Sequence, residues 1–158
     1  MNVKYIERID KFFNGKFKFV HMIRDGRDVL TSVHPRDPNS YWVSIDRWIR
    51  DTEKGLEYAN HPNVLTLKYE DLISDFYETI GEVCSFIGEP VTDELRNWRE
   101  KTNIKNSGAW FHKSKDLHKD SRNKWERPEH KERYKDIRNS KRVKSLLKRL
   151  GYISKVTE

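Results

Sequence analysis

Apolar residues recur along this chain with two periods, one typical of helices and one typical of strands. Four of them between Val3 and Phe13 lie three or four positions apart, which predicts an amphipathic helix. Phe17–Ile23 is instead a short and mostly apolar run. It predicts a buried strand, and a parallel one, because a turn at Asp25-Gly26 and a helix over Asp28–Val33 follow directly.

The alternation of strands and helices continues through the middle of the chain. After a break at two prolines, Ser40 is expected to cap a long helix whose apolar stripe runs from Trp42 to Leu56. A second strand is predicted over Val64–Leu67, and an amphipathic helix from Leu72 to Ile87 follows it. This order predicts an α/β domain with a parallel sheet, although two strands are few for a stable open sheet.

The last third of the chain is less regular. Thr92 is expected to cap a short helix that runs to about Lys101, and residues 102–128 show little periodicity. A final amphipathic helix is predicted to start at Ser140 and to end at Gly151. Irregular stretches of that length in a small domain are usually functional or mobile.

Composition adds a charge asymmetry to this outline. A length of 158 residues fits one domain over residues 1–158, and the charged fraction of 36% predicts a modest core with a solvated surface. Arg99–Arg149 holds 18 Lys or Arg against 7 Asp or Glu, whereas the rest of the chain is slightly acidic. This basic half indicates an anionic partner or, alternatively, no more than a solvated helical surface.

The same composition bears on the cellular compartment. Cys84 is the only cysteine, so no internal disulfide is possible, and its place in an apolar helical pattern predicts a buried structural thiol. No apolar run approaches the length of about 18 residues that a membrane span needs, and the N-terminus has no secretory signal pattern. We therefore expect a cytoplasmic protein that does not enter a membrane.

Arg24 stands where the first predicted strand ends and the turn into a helix begins. Ligands of open α/β sheets bind at the carboxyl ends of strands, where helix N-termini favour anions. An arginine there adds a permanently charged, bidentate donor suited to phosphate, and Ser32, expected two turns into the helix, adds a hydroxyl. The segment is predicted to bind an anion; the alternative is a surface ion pair of Arg24 with Asp25 or Asp28.

The segment IRDGRDVLTS, residues 23–32, resembles the 3′-phosphate-binding motif of sulfotransferases that use 3′-phosphoadenosine 5′-phosphosulfate (PAPS). In that family an arginine at the strand end and a serine eight residues later hold the 3′-phosphate of the nucleotide. Arg24 and Ser32 match both residue types and their spacing. The resemblance implies that these two residues bind the 3′-phosphate.

The segment LTLKYEDL, residues 65–72, resembles a second conserved segment of the same family. In many members its tyrosine approaches the adenine edge, which implies that role for Tyr69. The residues alone allow an ordinary strand-end aromatic, and they favour Glu70 and Asp71 as carboxylates at the start of a helix.

A third segment, HKDSRNKWERP at residues 118–128, occupies the place of a late basic loop that closes over the 3′-phosphate in the family. The family's glycine is absent from it. The resemblance implies Lys119, Ser121 and Arg122 as donors to the phosphate and Trp125 as a packing anchor. A basic loop of this kind is equally compatible with simple solvation.

The resemblance covers Phe17–Tyr152 and implies a P-loop-NTPase-like sulfotransferase fold of the α/β class, with helices flanking a short parallel sheet. The family's first strand and its loop for the 5′-phosphosulfate, of the type Pro-x-Ser/Thr-Gly-Thr-Thr, have no counterpart in the sequence. The fold is therefore expected to be truncated, and a second chain is one source for the loop. No catalytic base is assigned, since His21 falls on a strand and His34 begins a proline-rich turn.

The reaction that the resemblance implies is transfer of a sulfuryl group from PAPS to an acceptor hydroxyl or amine, without a metal. The sequence does not identify the acceptor. The main alternative is a non-catalytic module, from a degenerate or split sulfotransferase, that binds a nucleotide or another anion. Nucleic-acid binding through the basic half is disfavoured because no recognised nucleic-acid motif is present.

Overall fold

The computed structural model describes residues 5–34, 37–98 and 121–154. All the strands of the described residues lie before residue 69, and the described residues after it form helices and turns. In chain order the elements are α1 (Ile6–Phe13), β1 (Phe19–Ile23), α2 (Gly26–Leu30), β2 (Val33–His34), β3 (Asp37–Tyr41), α3 (Ile45–Leu56), β4 (Val64–Lys68), α4 (Tyr69–Ser74), α5 (Phe76–Ile87), α6 (Asp93–Arg96), two 3₁₀ turns (Lys124–Glu126 and Pro128–His130), α7 (Lys131–Asn139) and α8 (Lys141–Arg149).

The two predicted strands pair with each other in parallel, which confirms the expected parallel sheet. Phe19 of β1 lies opposite Val64 of β4, and Ile23 lies opposite Lys68 at the other end. Because both strands run in the same direction, their carboxyl ends meet at one edge of the sheet. Arg24 and Tyr69, the residues that follow the two strands, are therefore brought side by side.

Strands β2 and β3 form an antiparallel hairpin that the sequence did not predict. The predicted cap at Ser40 is wrong, because the Ser40 hydroxyl donates to the Asp37 carboxylate within the hairpin. Helix α3 begins five residues later, where the Ser44 hydroxyl accepts the Arg47 N–H at 3.2 Å. Trp42 lies outside the helix with its side chain half exposed, so the predicted apolar stripe begins at Ile45 instead.

The predicted helix from Leu72 to Ile87 is two helices, α4 and α5, which meet at Asp75 with φ of −133° and ψ of 63°. Its expected end is confirmed, because Gly88 takes the left-handed conformation with φ of +81°. The buried residues of the pair are Ile73, Thr79 and Cys84 rather than the predicted stripe. The prediction that Cys84 is a buried thiol is thus confirmed.

Helix α7 was not predicted, because its sequence KERYKDIRN buries one apolar residue, Ile137, and shows no apolar stripe. The helix after it was predicted correctly, and the Ser140 hydroxyl accepts the Val143 N–H at 3.4 Å. The Thr92 hydroxyl caps α6 as expected, by accepting the Leu95 N–H at 3.3 Å. The expected end of that helix near Lys101 lies outside the described residues.

The main core lies between α2, α3, α7 and α8, which pack on one side of the sheet. A smaller hydrophobic cluster lies at the start of β4 and is formed by Ile6, Tyr58 and Val64. None of the helices in the described residues is long and apolar enough to cross a membrane. The buried members of the main core are Leu30, Trp48, Ile49, Ile137, Val143, Leu146, Leu147 and Leu150.

Two glycines set the distance at which α3 packs against its neighbours. A Cβ atom on Gly26 would lie 2.2 Å from Cζ2 of the buried Trp48 side chain. A Cβ atom on Gly55 would lie 2.4 Å from Cε1 of His21 in β1. Since real Cβ contacts are longer than 3 Å, both positions require glycine for the observed packing.

We predict that Gly26→Ala lowers the free energy of unfolding by about 1–3 kcal/mol, because the added methyl group overlaps the Trp48 ring. Gly81→Ala is the matched control. Gly81 lies within α5 with open space around it, so alanine there should raise stability by about 0.5–1 kcal/mol. Urea denaturation of both variants checks the pair, and equal effects of the two substitutions would contradict the packing described.

A second prediction concerns His21, whose pKa is lowered by burial against α3. The unfolded chain takes up a proton on His21 near pH 6.5, whereas burial disfavours the protonated ring in the folded chain. Folding is therefore most favourable above about pH 6.5, where His21 is neutral in both states, and it becomes less favourable as the pH falls below that value. As the pH is lowered from about 7.5 to about 5.5, we expect the free energy of unfolding to decrease, and to decrease less in His21→Gln. Parallel slopes for the two proteins in urea denaturation would exclude His21 as the cause.

Candidate functional site

The candidate site begins at the turn between β1 and α2. Asp25 caps the helix, since its side chain accepts the Arg27 N–H at 2.9 Å, and α2 therefore starts at Gly26 rather than at the predicted Asp28. The helix has only five residues and ends at Leu30, with Thr31 as its C-cap. The expectation that Ser32 lies two turns into it is thus wrong, because Ser32 follows the C-cap.

Arg24 projects from this turn towards the end of β4. Its guanidinium lies over the Tyr69 ring, 4.7 Å from the centroid, and its Nη2 donates to the backbone carbonyl of Ser121. The Nε–H is buried, and among the described residues no acceptor lies within hydrogen-bond distance of it. Arg24 therefore offers a donor that a ligand oxygen could satisfy.

Tyr69 and Ser121 complete the contacts around this arginine. The Tyr69 hydroxyl and Ser121 Oγ are 3.0 Å apart, and the Ser121 side chain is buried. The structure thus brings together three of the predicted site residues from three separate segments of the chain. Both the ring and the hydroxyl of Tyr69 thus contact other predicted site residues.

Asp28 holds the segment that carries Ser121 against α2. Its carboxylate is 2% exposed and accepts the N–H groups of Asn123 at 3.0 Å and of Trp125 at 3.4 Å. The same carboxylate lies 3.6 Å from Arg24 Nη2. The alternative pairing of Arg24 with Asp28 therefore exists, but it is buried rather than on the surface, and Asp28 also serves the backbone of a remote turn.

Glu70 makes a similar connection on the other side of the turn. It lies in the first turn of α4, as predicted, and its Oε1 accepts the Asp25 N–H at 3.0 Å. Its Oε2 accepts the Tyr152 hydroxyl at 2.8 Å, and burial together with this carboxylate raises the pKa of Tyr152. The end of the chain is thereby tied to the same turn as Arg24.

Arg27 supports the site from the opposite face of α2. Its guanidinium donates to both carboxylate oxygens of Asp25 and to the Tyr152 carbonyl, and it lies 4.3 Å from the centroid of the Trp125 ring. Trp125 thus acts as the packing anchor that the sequence indicated. The sequence analysis did not predict that Arg27, Asp28 and Glu70 connect these segments. Their position within the two recognised motifs was the only sign in the sequence that they lie near the site.

The remaining predicted site residues are placed less closely. Ser32 is half-buried just after α2, and its hydroxyl donates to the backbone carbonyl of Asp28 at 2.8 Å. Arg122 is exposed beside Ser121. Lys119 lies outside the described residues. Contacts therefore join Arg24, Tyr69 and Ser121 directly, and Ser32 only through Asp28.

An open space of about 660 Å³ adjoins the site along β1. All five residues of the strand and Arg24 line it from one side, and α3 lines it from the other with Arg47, Trp48 and Asp51. Its size lies within the usual range for sites that bind small molecules. Chemically, this edge of the sheet combines an arginine with an unsatisfied buried donor, two hydroxyl groups and space for a ligand.

Comparison with known proteins relates this geometry to one family. A model of the sulfotransferase domain matches residues 7–143 of the chain. A 3-alpha-hydroxysteroid sulfotransferase from Cavia porcellus is 31% identical in an alignment of 101 residues that covers 52% of this chain and 35% of that protein. Human sulfotransferase 2A1 is 27% identical over 104 residues, 54% of this chain and 36% of the relative. The match thus spans about a third of the length of these relatives.

The crystal structure of mouse sulfotransferase SULT7A1 complexed with PAP superposes with a TM-score of 0.57 at 19% identity. The superposition covers 92% of this chain and 67% of the mouse chain. It confirms the expected P-loop-like α/β fold with a short parallel sheet flanked by helices. Since the family model covers most of the sequence, the chain belongs to the sulfotransferase domain family.

Proposed function

We propose that the chain binds the nucleotide of a sulfotransferase reaction, PAPS or its product adenosine 3′,5′-bisphosphate, at the carboxyl ends of β1 and β4. The observation that carries the proposal is the buried Nε–H of Arg24, which has no acceptor among the described residues. Arg24 and Ser32 would hold the 3′-phosphate. Tyr69 would lie against the adenine edge. The donors that complete the pocket would be Lys119, Ser121 and Arg122.

A phosphate oxygen suits this position for energetic reasons. A buried donor without an acceptor costs about 1–3 kcal/mol, and an oxyanion that accepts its hydrogen bond removes that cost. The Arg24 side chain is 24% exposed, so part of it is open to a ligand, and its planar guanidinium donors match the geometry of phosphate. The Tyr69 ring on one face keeps the guanidinium oriented while it binds.

The proposed reaction is transfer of a sulfuryl group to an acceptor hydroxyl or amine. PAPS supplies the activated sulfuryl group when it is bound. The residues of this chain would fix the nucleotide end of the donor, with Asp28 keeping the backbone around Ser121 in place. Donors are also needed where charge builds on the leaving phosphate, and the sequence contains no loop of the family's type for that purpose.

The open edge of β1 supports a source for those donors outside the 158 residues. Phe19 donates its N–H to Asn63, so by alternation the backbone groups of Val20 and Met22 point to the other side of the strand. Val20 and Met22 are 38% and 42% exposed. A further parallel strand, from the same polypeptide or from a second chain, would pair with this edge and end beside Arg24.

The alternative function is a nucleotide-binding module without catalysis. It is favoured by the groups around Arg24, which are suited to binding an anion and among which no catalytic base has been assigned. His21 lies at some distance along β1 towards Gly55, with a pKa lowered by burial. For the compartment we propose the cytoplasm, because the buried Cys84 is the single thiol and no disulfide is required.

We predict that Arg24→Ala weakens binding of adenosine 3′,5′-bisphosphate more than tenfold, because a charged hydrogen bond contributes about 1.5–3 kcal/mol. Adenosine 5′-monophosphate, which lacks the 3′-phosphate, should lose little affinity. Isothermal titration calorimetry with both nucleotides measures the difference. Arg50→Ala is the matched control, since the Arg50 side chain is 74% exposed on α3, and it should bind both nucleotides like the parent. Equal losses for the two nucleotides would contradict the role of Arg24.

A transfer assay with labelled PAPS and a panel of phenols, sugars and peptides separates the two functions. The 158 residues alone are expected to bind the bisphosphate and to transfer no label, because the donors to the leaving phosphate are missing. Transfer that appears when the polypeptide encoded directly upstream is added would identify a divided enzyme. Binding without transfer in every combination would favour the module, and absence of binding would refute the nucleotide site itself.

A further inference from the structure

A second concave surface lies between helices α7 and α8. It encloses about 520 Å³ and is also lined by Arg27 of α2 and by Ile153 and Ser154, which follow α8. Neither Arg24 nor Tyr69 lines it. The sequence showed that this half of the chain is basic, and the nucleotide site uses few of its cations.

Three of those cations surround the groove. Lys144 and Lys148 are one turn apart on α8 and lie on the same face of the helix, and Arg138 at the end of α7 faces the same space. In the part of the chain that the structure describes, none of the three is paired with a carboxylate. The groove therefore carries a local charge of three without a counter-ion.

The other basic residues nearby are engaged elsewhere. Arg27 is neutralised by Asp25, with Nη2 2.6 Å from the carboxylate. Arg142, also on α8, forms an ion pair of 2.8 Å with Glu53 of α3. What distinguishes Arg138, Lys144 and Lys148 from other cations on these helices is that they line one concavity, where low-dielectric walls strengthen the potential that an anion experiences.

Apolar side chains also line the groove. Ile137 and Leu147 belong to the main core and are almost fully buried, whereas Ile153 is half-buried and leaves apolar surface open to the groove. A fully hydrated inorganic ion would leave this apolar surface in contact with water. A ligand with a short apolar body would cover it while its charged group remained near the cations.

We propose that this groove is a second anion site, which binds a small amphiphilic molecule with one sulfate, phosphate or carboxylate group on an apolar body. The enclosed volume and the half-buried Ile153 fit a compact ligand better than the extended backbone of a nucleic acid. The site is separate from the proposed nucleotide site, because neither Arg24, Tyr69 nor Ser121 lines it, although Arg27 borders both.

The test is calorimetric titration with octyl sulfate, octyl phosphate and octanoate at concentrations below micelle formation, and with sodium sulfate and 1-octanol as the two halves of the ligand. We expect saturable binding of at least one amphiphile, with the three compared to identify the preferred head group. Inorganic sulfate and octanol should each bind at least about tenfold more weakly than that amphiphile. Saturating adenosine 3′,5′-bisphosphate should not displace it.

The double variant Lys144→Met and Lys148→Met should bind the amphiphile about tenfold or more weakly, because two charged partners are lost. Lys141→Met is the matched control, since Lys141 is exposed on the same helix and does not line the groove. Arg24→Ala should also leave this affinity unchanged, which separates the site from the nucleotide site.

Three results would overturn the proposal. The first is equal affinity of the double variant and the parent for the preferred amphiphile. The second is octanol binding as tightly as the charged ligands, which would indicate simple apolar adsorption. The third is tighter, salt-dependent binding of a short oligothymidine that the double variant loses, which would assign the surface to nucleic acid.

Discussion

Parallel pairing of β1 with β4 is the constraint from which the arrangement of the site follows. With Ile23 opposite Lys68, the residues after both strands meet at one edge of the sheet, so Arg24 and Tyr69 become neighbours. Parallel strands need a crossover connection that returns over the sheet. Here α2, the hairpin and α3 form that crossover, and α3 rests on β1 where Gly55 meets the His21 ring.

Two acidic side chains then connect distant segments to this edge. A buried carboxylate is costly unless hydrogen bonds satisfy it, so Asp28 can be 2% exposed only while Asn123 and Trp125 donate to it. Glu70 ties the Asp25 backbone and the Tyr152 hydroxyl together in the same way. Local capping and tertiary assembly are thus performed by neighbouring residues of one short turn.

The sequence predicted what depends on local pattern and on recognised motifs. Both parallel strands were found, together with the cap at Ser140. The motifs predicted one site for Arg24, Tyr69 and Ser121, and these three residues contact one another in the structure. The hairpin was missed because a side-chain bond from Ser40 to Asp37 competes with helix capping there.

Helix α7 was missed for a different reason, since Ile137 alone of its residues is buried and no periodic stripe results. The roles of Asp28 and Glu70 could not be predicted either. Their partners are mainly backbone N–H groups and a hydroxyl from remote segments, which leave no pattern in the types of nearby residues. Motif position marked these carboxylates, but only the tertiary structure assigns their contacts.

The stacked arrangement of Arg24 has a consequence for the thermodynamics of ligand capture. An arginine that becomes ordered on binding loses conformational entropy of about 1.5–2 kcal/mol. Here the Tyr69 ring, the Ser121 carbonyl and the Asp28 carboxylate hold the guanidinium through contacts within the chain itself. The side chain is therefore preorganised. Its loss of conformational entropy accompanies folding, and the proposed anion would bind to a side chain that is already ordered.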